Sequence, residues 1–376
     1  TGLAFKLHLA LKGDVGSSSK WLLDLVALAT VADMMPLLDE NRIFVKYGLF
    51  VLAKTKRVGL KKLMESAGVE AKYDLETIST NLDSFTLGFT LGPRINAASR
   101  MAHANLAYEL LTSSDESKID ELVLSLNDNN RKRQQIVEKV LKDVRSRVDA
   151  YKELPSFIIE GSSNWSINLL GLVASKITER YQRPAMLYQN VDEIKAKGSL
   201  RTIEGFNLIS ALGSIGDLFI QYGGHTDAGG CTFEISNAEK IKLGLDNYAK
   251  KVLTPELLQK KLKVSDEIKL GDIDWSLMDS LKKFEPFGMA NPKPKFLSRE
   301  VNIKKLVLLG KNAEHLKIFV ADKKTNKTFP VLFFRHNGLA EDFKIDDTLD
   351  IVYELDINEW NGSREIQLKL IDYDKK

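Results

Sequence analysis

Among 376 residues the chain has a single cysteine, Cys231. An internal disulfide is therefore excluded, and the composition suits a reducing compartment, with the cytoplasm as the expected location. Long apolar runs are lacking as well. The most hydrophobic stretch, residues 21–38, is interrupted by Asp24 and Asp33 and carries Pro36 near its end, so it reads as a core segment and not a membrane span. No signal peptide is visible. Charge of one sign does not dominate: 54 Lys and Arg stand against 51 Asp and Glu, for a net charge of +3. That sum alone is too small to argue for a nucleic-acid partner. Histidines are few and scattered, at His8, His103, His225, His315 and His336, and no two are adjacent. The 44% hydrophobic and 28% charged content describes a globular protein, and its length calls for two or three domains.

The densest local signal is Gly223-Gly224-His225-Thr226-Asp227-Ala228-Gly229-Gly230. Four glycines in eight residues allow positive φ and close approach to a ligand. Bare N–H groups in such a loop form a concave anion site, and His225 adds a donor for phosphate. A structural turn is the competing reading. Just upstream, Lys197-Gly198-Ser199-Leu200-Arg201 ends an apparent strand at 194–200. Alternation puts Ser199 and Arg201 on one face. A hydroxyl beside a guanidinium suits phosphate, each charge-assisted hydrogen bond contributing about 1.5–3 kcal/mol. The bland alternative makes Arg201 a solvated strand-end charge. Cys231 follows the glycines at the start of another apparent strand and reads as buried filler.

Hydrophobic spacing gives the organisation. Residues 1–112 mix helical patterns with one strand-like run at 25–31, which predicts an α/β unit. Ser114 or Asp115 caps a long helix to about Val148, its apolar positions recurring at three- and four-residue steps with a polar interruption near Asn130. A second α/β unit follows Pro155, with strands at 157–160, 185–189, 194–200 and 232–235 and helices at 169–181, 206–215 and 237–253. After a connector at 254–263, five strand-like runs (301–309, 316–321, 328–334, 348–355 and 365–371) and the turn Trp360-Asn361-Gly362 predict an oligonucleotide-binding (OB) barrel. Such barrels stack bases on aromatics beside basic side chains. Phe319, Phe333, Phe334 and Trp360 are the candidates, Trp360 the best of them for exposure. Basic clusters lie at 54–62, at 131–133 and along the last domain, at Lys304, Lys305, Lys311, Lys317, Lys323, Lys324 and Lys327. Facing a shared groove, they would neutralise backbone phosphates.

These residues carry a family resemblance. G-S-x-R followed by G-G-H-x-x-A-G-G resembles the DHHA1 substrate-binding domain of the DHH phosphoesterase superfamily. Leu91-Gly92-Pro93-Arg94-Ile95-Asn96-Ala97-Ala98-Ser99-Arg100-Met101 resembles a signature of the RecJ family of single-stranded-DNA-specific exonucleases. So do Ala29-Thr30-Val31-Ala32-Asp33-Met34-Met35-Pro36-Leu37 with Glu40-Asn41-Arg42, and Phe284-Glu285-Pro286-Phe287-Gly288 with Asn291-Pro292. The motifs stand in the family's order over nearly the whole chain. The resemblance implies a multidomain α/β plus β architecture: part of a DHH α/β lobe (1–112), a connecting helix (113–150), a DHHA1 α/β lobe (151–253) and a five-stranded OB barrel (254–376).

The resemblance also implies roles. Asp33 becomes a catalytic metal ligand in a two-metal Mn²⁺ or Mg²⁺ site that activates water for attack on a phosphodiester; from its local pattern alone, Asp33 is as readily a helix or turn cap. Arg94, Asn96 and Arg100, placed at a turn before a helix from Met101, become substrate or domain-closure contacts, although Arg100 has Asp83 and Glu109 as alternative partners. Ser199, Arg201, Gly224 and His225 would grip the terminal phosphate and nucleotide, and Trp360 would contact the strand. The implied activity is 5′→3′ degradation of single-stranded DNA in repair and recombination. Implied partners are single-stranded DNA, a single-strand-binding protein and a helicase, with no membrane and a monomeric state. Two departures stand out. The family's D-x-D-G and Asp-His-His elements are absent, which reads as a chain lacking most of its metal site and inactive alone, and Ser99 replaces the usual Gly. A small-oligonucleotide or bisphosphonucleoside phosphoesterase and a non-catalytic single-strand-binding module remain the alternatives.

Overall fold

A computed structural model describes residues 1–13, 17–310, 315–322, 325, 327–334, 342–360 and 362–376; the side chains of Ser17, Phe334 and Trp360 lie outside that description. Two compact units form, each from separated stretches of chain. One comprises Thr1–Thr55, Glu70–Phe89 and Leu262–Lys376, the other Lys56–Val69 and Thr90–Lys261.

In the first unit, Leu23–Ala32 is a helix, not the strand expected at 25–31. The segment is apolar on nearly every side, and a continuous apolar run carries no period that separates a buried helix from a buried strand. It lies so close to the helix Asp39–Ala53 that a Cβ on Gly48 would sit 2.4 Å from the Leu23 carbonyl oxygen. Asp24, buried between them, accepts from Thr55 Oγ1 at 2.7 Å. Among the described residues of 1–112, β structure is confined to the ribbon Tyr73–Asp74 with Ser79–Thr80. Two sequence motifs interlock in this unit. Arg42 donates to the carbonyls of Lys283 (2.7 Å) and Glu285 (3.3 Å), and the Leu37 amide to Met289 O (2.7 Å). Asn291 holds the turn from inside by donating to Phe284 O and Pro286 O, each at 2.9 Å.

The remainder of this unit is a closed barrel. We label the strands of the chain's two large sheets in order: β1 Ile158–Gly161, β2 Ala185–Asn190, β3 Lys195–Arg201, β4 Phe219–Gly224, β5 Ala228–Glu234, β6 Phe296–Leu309, β7 His315–Ala321, β8 Thr328–Phe334, β9 Thr348–Trp360 and β10 Ser363–Lys375. Strands β6 to β10 form the barrel, with order β7-β8-β10-β9-β6 closed by pairing of β7 with β6. All five strands expected from alternation are present, β8 with the bounds read and the other four longer. Tyr353 fills the interior, its hydroxyl 2.8 Å from Ser298 Oγ, which donates to Ile268 O.

The second unit is organised by the helix Glu116–Asp149. Asp115 caps it, accepting from the Lys118 amide at 3.2 Å, and its buried stripe runs from Ile119 to Val148 as the spacing predicts. The last turns pack with the helix Ile167–Tyr181 on one face of a sheet of order β1-β2-β3-β5-β4, against Ile158, Ala185 and Leu187. The helices Leu208–Gly213 and Ala238–Val252 cover the other face, against Met186, Ala196, Leu200 and Phe233. Only β1 and β2 run parallel. Strand β4 escaped the sequence reading because it is a short, mostly exposed edge strand ending in two glycines. The helix Val58–Ser66 meets the helix Asn105–Thr112 through Gly59, where a Cβ would lie 1.9 Å from Leu110 O. Gly59→Ala is expected to lower stability by about 1–3 kcal/mol through forced separation of those helices, measurable by urea unfolding.

Candidate anion-binding site

The site follows from strand alternation in β3. Ala196, Gly198 and Leu200 point into one core; Ser199 and Arg201 share the opposite face, as expected. Across that face runs the helix Ile167–Tyr181, close enough that a Cβ on Gly171 would be 2.9 Å from Arg201 Nη2 and 3.1 Å from Ser199 Oγ. Arg201 Nη1 donates to Leu200 O at 2.7 Å and lies 3.5 Å from Ser199 Oγ.

Two more guanidiniums join this pair. Arg100, in the helix Gly92–Met101, donates from Nη1 to Asn168 O at 2.8 Å, at the start of the Ile167–Tyr181 helix. Neither alternative partner holds it: Asp83 accepts from Thr86, and Glu109 pairs with Lys118 at 3.0 Å. Arg133, on the long helix, donates from Nη2 to Asn130 Oδ1 at 2.9 Å, while its buried Nε has no hydrogen-bond partner. Burial depresses the Arg133 and Arg201 pKa values below the usual guanidinium range, and the like charge of Arg100 depresses both further. Among the charges that shift these two groups there is no carboxylate. Arg133 is the member that motif reading missed; the orphaned donor shows only in three dimensions. The polar break near Asn130, noted in the sequence, is its one local trace.

The glycine-rich run is not an open loop. Gly223-Gly224 close β4, Ala228 opens β5, and the His225 amide donates to Ala228 O at 2.8 Å. Gly223, Gly224 and Ala228–Gly230 are taken up in strand pairing, so a hairpin stands where an open glycine loop was expected. Gly224 has φ 143°, and a Cβ there would meet Ala228 O at 2.3 Å, so glycine is required. Arg201 pairs with Ala228, which places exposed His225 about two strand spacings away, roughly 10 Å. Cys231 is buried 3.6 Å from Met186 Sδ, its thiol pushed up to about 12 by burial, and is filler as read.

Arg94, Asn96 and Arg100 lie within the helix Gly92–Met101, which begins earlier than expected because Pro93 fits its first turn. Arg94 braces that helix, donating to Thr90 O (2.6 Å) and Asn127 Oδ1 (2.9 Å). Asn96 is exposed, and Ser99 is helical without positive φ. Asp33 caps the C-terminal end of Leu23–Ala32. There the Met34 and Met35 amides bond to Val31 O and Thr30 O, closing the helix with Met34 at φ 54°, where glycine is usual. A carboxylate at the negative end of the helix dipole is unfavourably placed unless a cation meets it. One carboxylate does not hold two divalent ions, and among the described residues no three His, Cys, Asp or Glu group together. Those residues alone do not build the two-metal centre.

On the barrel, Lys305 and Lys317 stand over the half-buried Phe319 ring, at 5.7 and 5.2 Å from its centroid. Phe333 packs on Tyr373 toward the core. The Phe334 and Trp360 side chains, Lys311, Lys323, Lys324 and Asn361 lie outside the described residues. Several other basic candidates are already paired, Lys62 with Asp120 at 2.7 Å and Arg131 with Asp128 at 2.6 Å.

A Ser/Arg face on a five-stranded α/β sheet, carried with a closed five-stranded barrel, defines a DHHA1-type protein with an OB-type domain. Residues 154–251 match the family model described as the DHHA1 domain, and 264–372 that of the RecJ OB domain. Single-stranded-DNA-specific exonuclease RecJ of Bacillus subtilis is 33% identical over 373 residues, 99% of this chain and 46% of that protein. The Haemophilus influenzae protein of the same name is 31% identical over 94% of this chain and 61% of its own length. The structure of Thermus thermophilus RecJ in complex with Mn²⁺ superposes with a TM-score of 0.79 at 27% identity, covering 95% of this chain and 50% of that one. The chain belongs to the RecJ family, and it spans about half the length of the relatives it matches. No described helix is long and apolar enough to cross a membrane. Met34→Gly is expected to stabilise the first unit by about 1 kcal/mol by removing left-handed strain, read as a rise in thermal midpoint.

Proposed function

We propose that the protein degrades single-stranded DNA from the 5′ end by metal-dependent phosphodiester hydrolysis, serving repair and recombination. The observation that carries this reading is the Ser199–Arg201–Arg100 cluster, cationic and, among the described residues, without a carboxylate paired to it. In this reading Ser199 and Arg201 take the terminal phosphate, Arg100 adds charge from the Asn168 turn, and His225 closes the pocket at the hairpin tip. Arg94 acts as a brace, and Asn96 is left as a contact to the strand. The barrel contributes the Lys305–Phe319–Lys317 face, and Trp360, as base-stacking and phosphate contacts. Such contacts carry no base identity, so recognition is sequence-independent. Mn²⁺ or Mg²⁺ is the cofactor assigned, with Asp33 as one ligand. The setting is completed by a cytoplasmic monomer working beside a single-strand-binding protein and a helicase.

The barrel argues against a phosphoesterase acting on very short substrates, which has no use for an extended strand surface. Binding of this chain to a 5′-phosphorylated single strand should exceed binding to the matching duplex and weaken steeply with salt. Arg201→Ala should reduce binding of the phosphorylated end by about tenfold or more, while Trp360→Ala should weaken long strands and spare very short ones. A duplex bound as well as the single strand, or equal effects of both variants on a very short strand, would contradict the reading.

A further inference from the structure

We infer that Arg133 is a third phosphate-holding guanidinium of this site, kept half-buried and under-bonded at a cost to stability. The inference rests on the reading of Ser199 and Arg201 as the terminal-phosphate pair and adds a residue that no motif singled out. Asn130 is the one hydrogen-bond partner of Arg133 among the described residues. That leaves Nη1 unfilled and Nε buried without an acceptor. A buried donor without a partner destabilises a fold, and a buried charge without a counter-charge does so more strongly.

An arginine escapes both penalties when carboxylates meet it. Arg147, on the same helix, shows the contrast: it meets Asp143 at 2.9 Å and Glu160 at 3.5 Å, and its pKa moves up, not down. Arg133 has only another arginine acting on its charge, and so does Arg201. Ile136 and Val137, one turn on from Arg133, pack in one apolar cluster with Met101, next to Arg100, and with Leu169 and Leu170, next to Asn168. Guanidiniums from the Gly92–Met101 helix, the long helix and β3 are thereby directed to one region, with no carboxylate among the charges that shift Arg133 or Arg201. A terminal phosphate monoester, carrying close to two negative charges near neutral pH, supplies the charge that the protein withholds. An internal diester carries one and compensates less. Arg133 thereby favours a phosphorylated strand end over the interior of a strand. Its contribution is its charge, held rigidly by Asn130.

The test uses the whole chain with Arg133→Met and Arg133→Lys, and two probes: one short single strand bearing a 5′-phosphate, and the same strand with a 5′-hydroxyl. The unmodified chain should prefer the phosphorylated strand. Arg133→Met should reduce that preference by about tenfold, weakening phosphate-ended binding more than hydroxyl-ended binding, and hold or raise the thermal midpoint. Arg133→Lys should retain most of the preference, because it keeps the charge. A lowered midpoint in Arg133→Met with the preference intact would show a merely structural role and overturn the inference. If the unmodified chain shows no preference, the reading of Ser199 and Arg201 fails, and this inference fails with it.

Discussion

A β-strand has two faces, and β3 uses them for opposite purposes. Ala196, Gly198 and Leu200 close a core, while Ser199 and Arg201, held in register by β2 and β5, face the helix Ile167–Tyr181. A slip of one residue would send Arg201 into the apolar core and Leu200 into the polar site, so register is fixed as strongly as the core is packed. The position of the cationic cluster follows from that constraint. Arg100 and Arg133 reach it from helices that pack on the same side of the sheet, which makes it a product of packing and not of any loop.

The cluster's electrostatics invert the usual rule for buried charge. Buried charges are ordinarily paired, because desolvation costs more than an unpaired charge returns. Here partial burial and the like charge of Arg100 act in the same direction on Arg133 and Arg201. Asp33 is a different case: an exposed carboxylate at the C-terminal end of a helix, next to a left-handed methionine.

Much of this was legible in the chain. The capped 34-residue helix, the five barrel strands and the Ser199/Arg201 pairing follow from periodicities that short-range sequence carries. Three features were not legible, each for a physical reason. Leu23–Ala32 is buried on nearly all sides, and its sequence lacks the polar face that would mark it as a helix. The glycine-rich run has the composition of an open loop, yet its pairing with β3 (Arg201 with Ala228, Leu200 with Gly229, Ser199 with Gly230) joins residues distant in sequence. Arg133 looked like one member of a basic run beside Arg131, which is in fact neutralised by Asp128; tertiary packing alone separates the two. The DHH-type motifs implied function through family likeness, and the geometry supplies the reason that Ser199 and Arg201 suit the task.

The central claim is that the Arg100–Arg133–Arg201 cluster is an anion site for a strand end. The most direct measurement is a crystal structure of this chain with a short 5′-phosphorylated single strand. The account predicts the terminal phosphate against Ser199 Oγ and the Arg201 guanidinium, with Arg100 and Arg133 turned toward it. A strand end bound elsewhere, with the three guanidiniums neutralised by carboxylates of the protein, would contradict it.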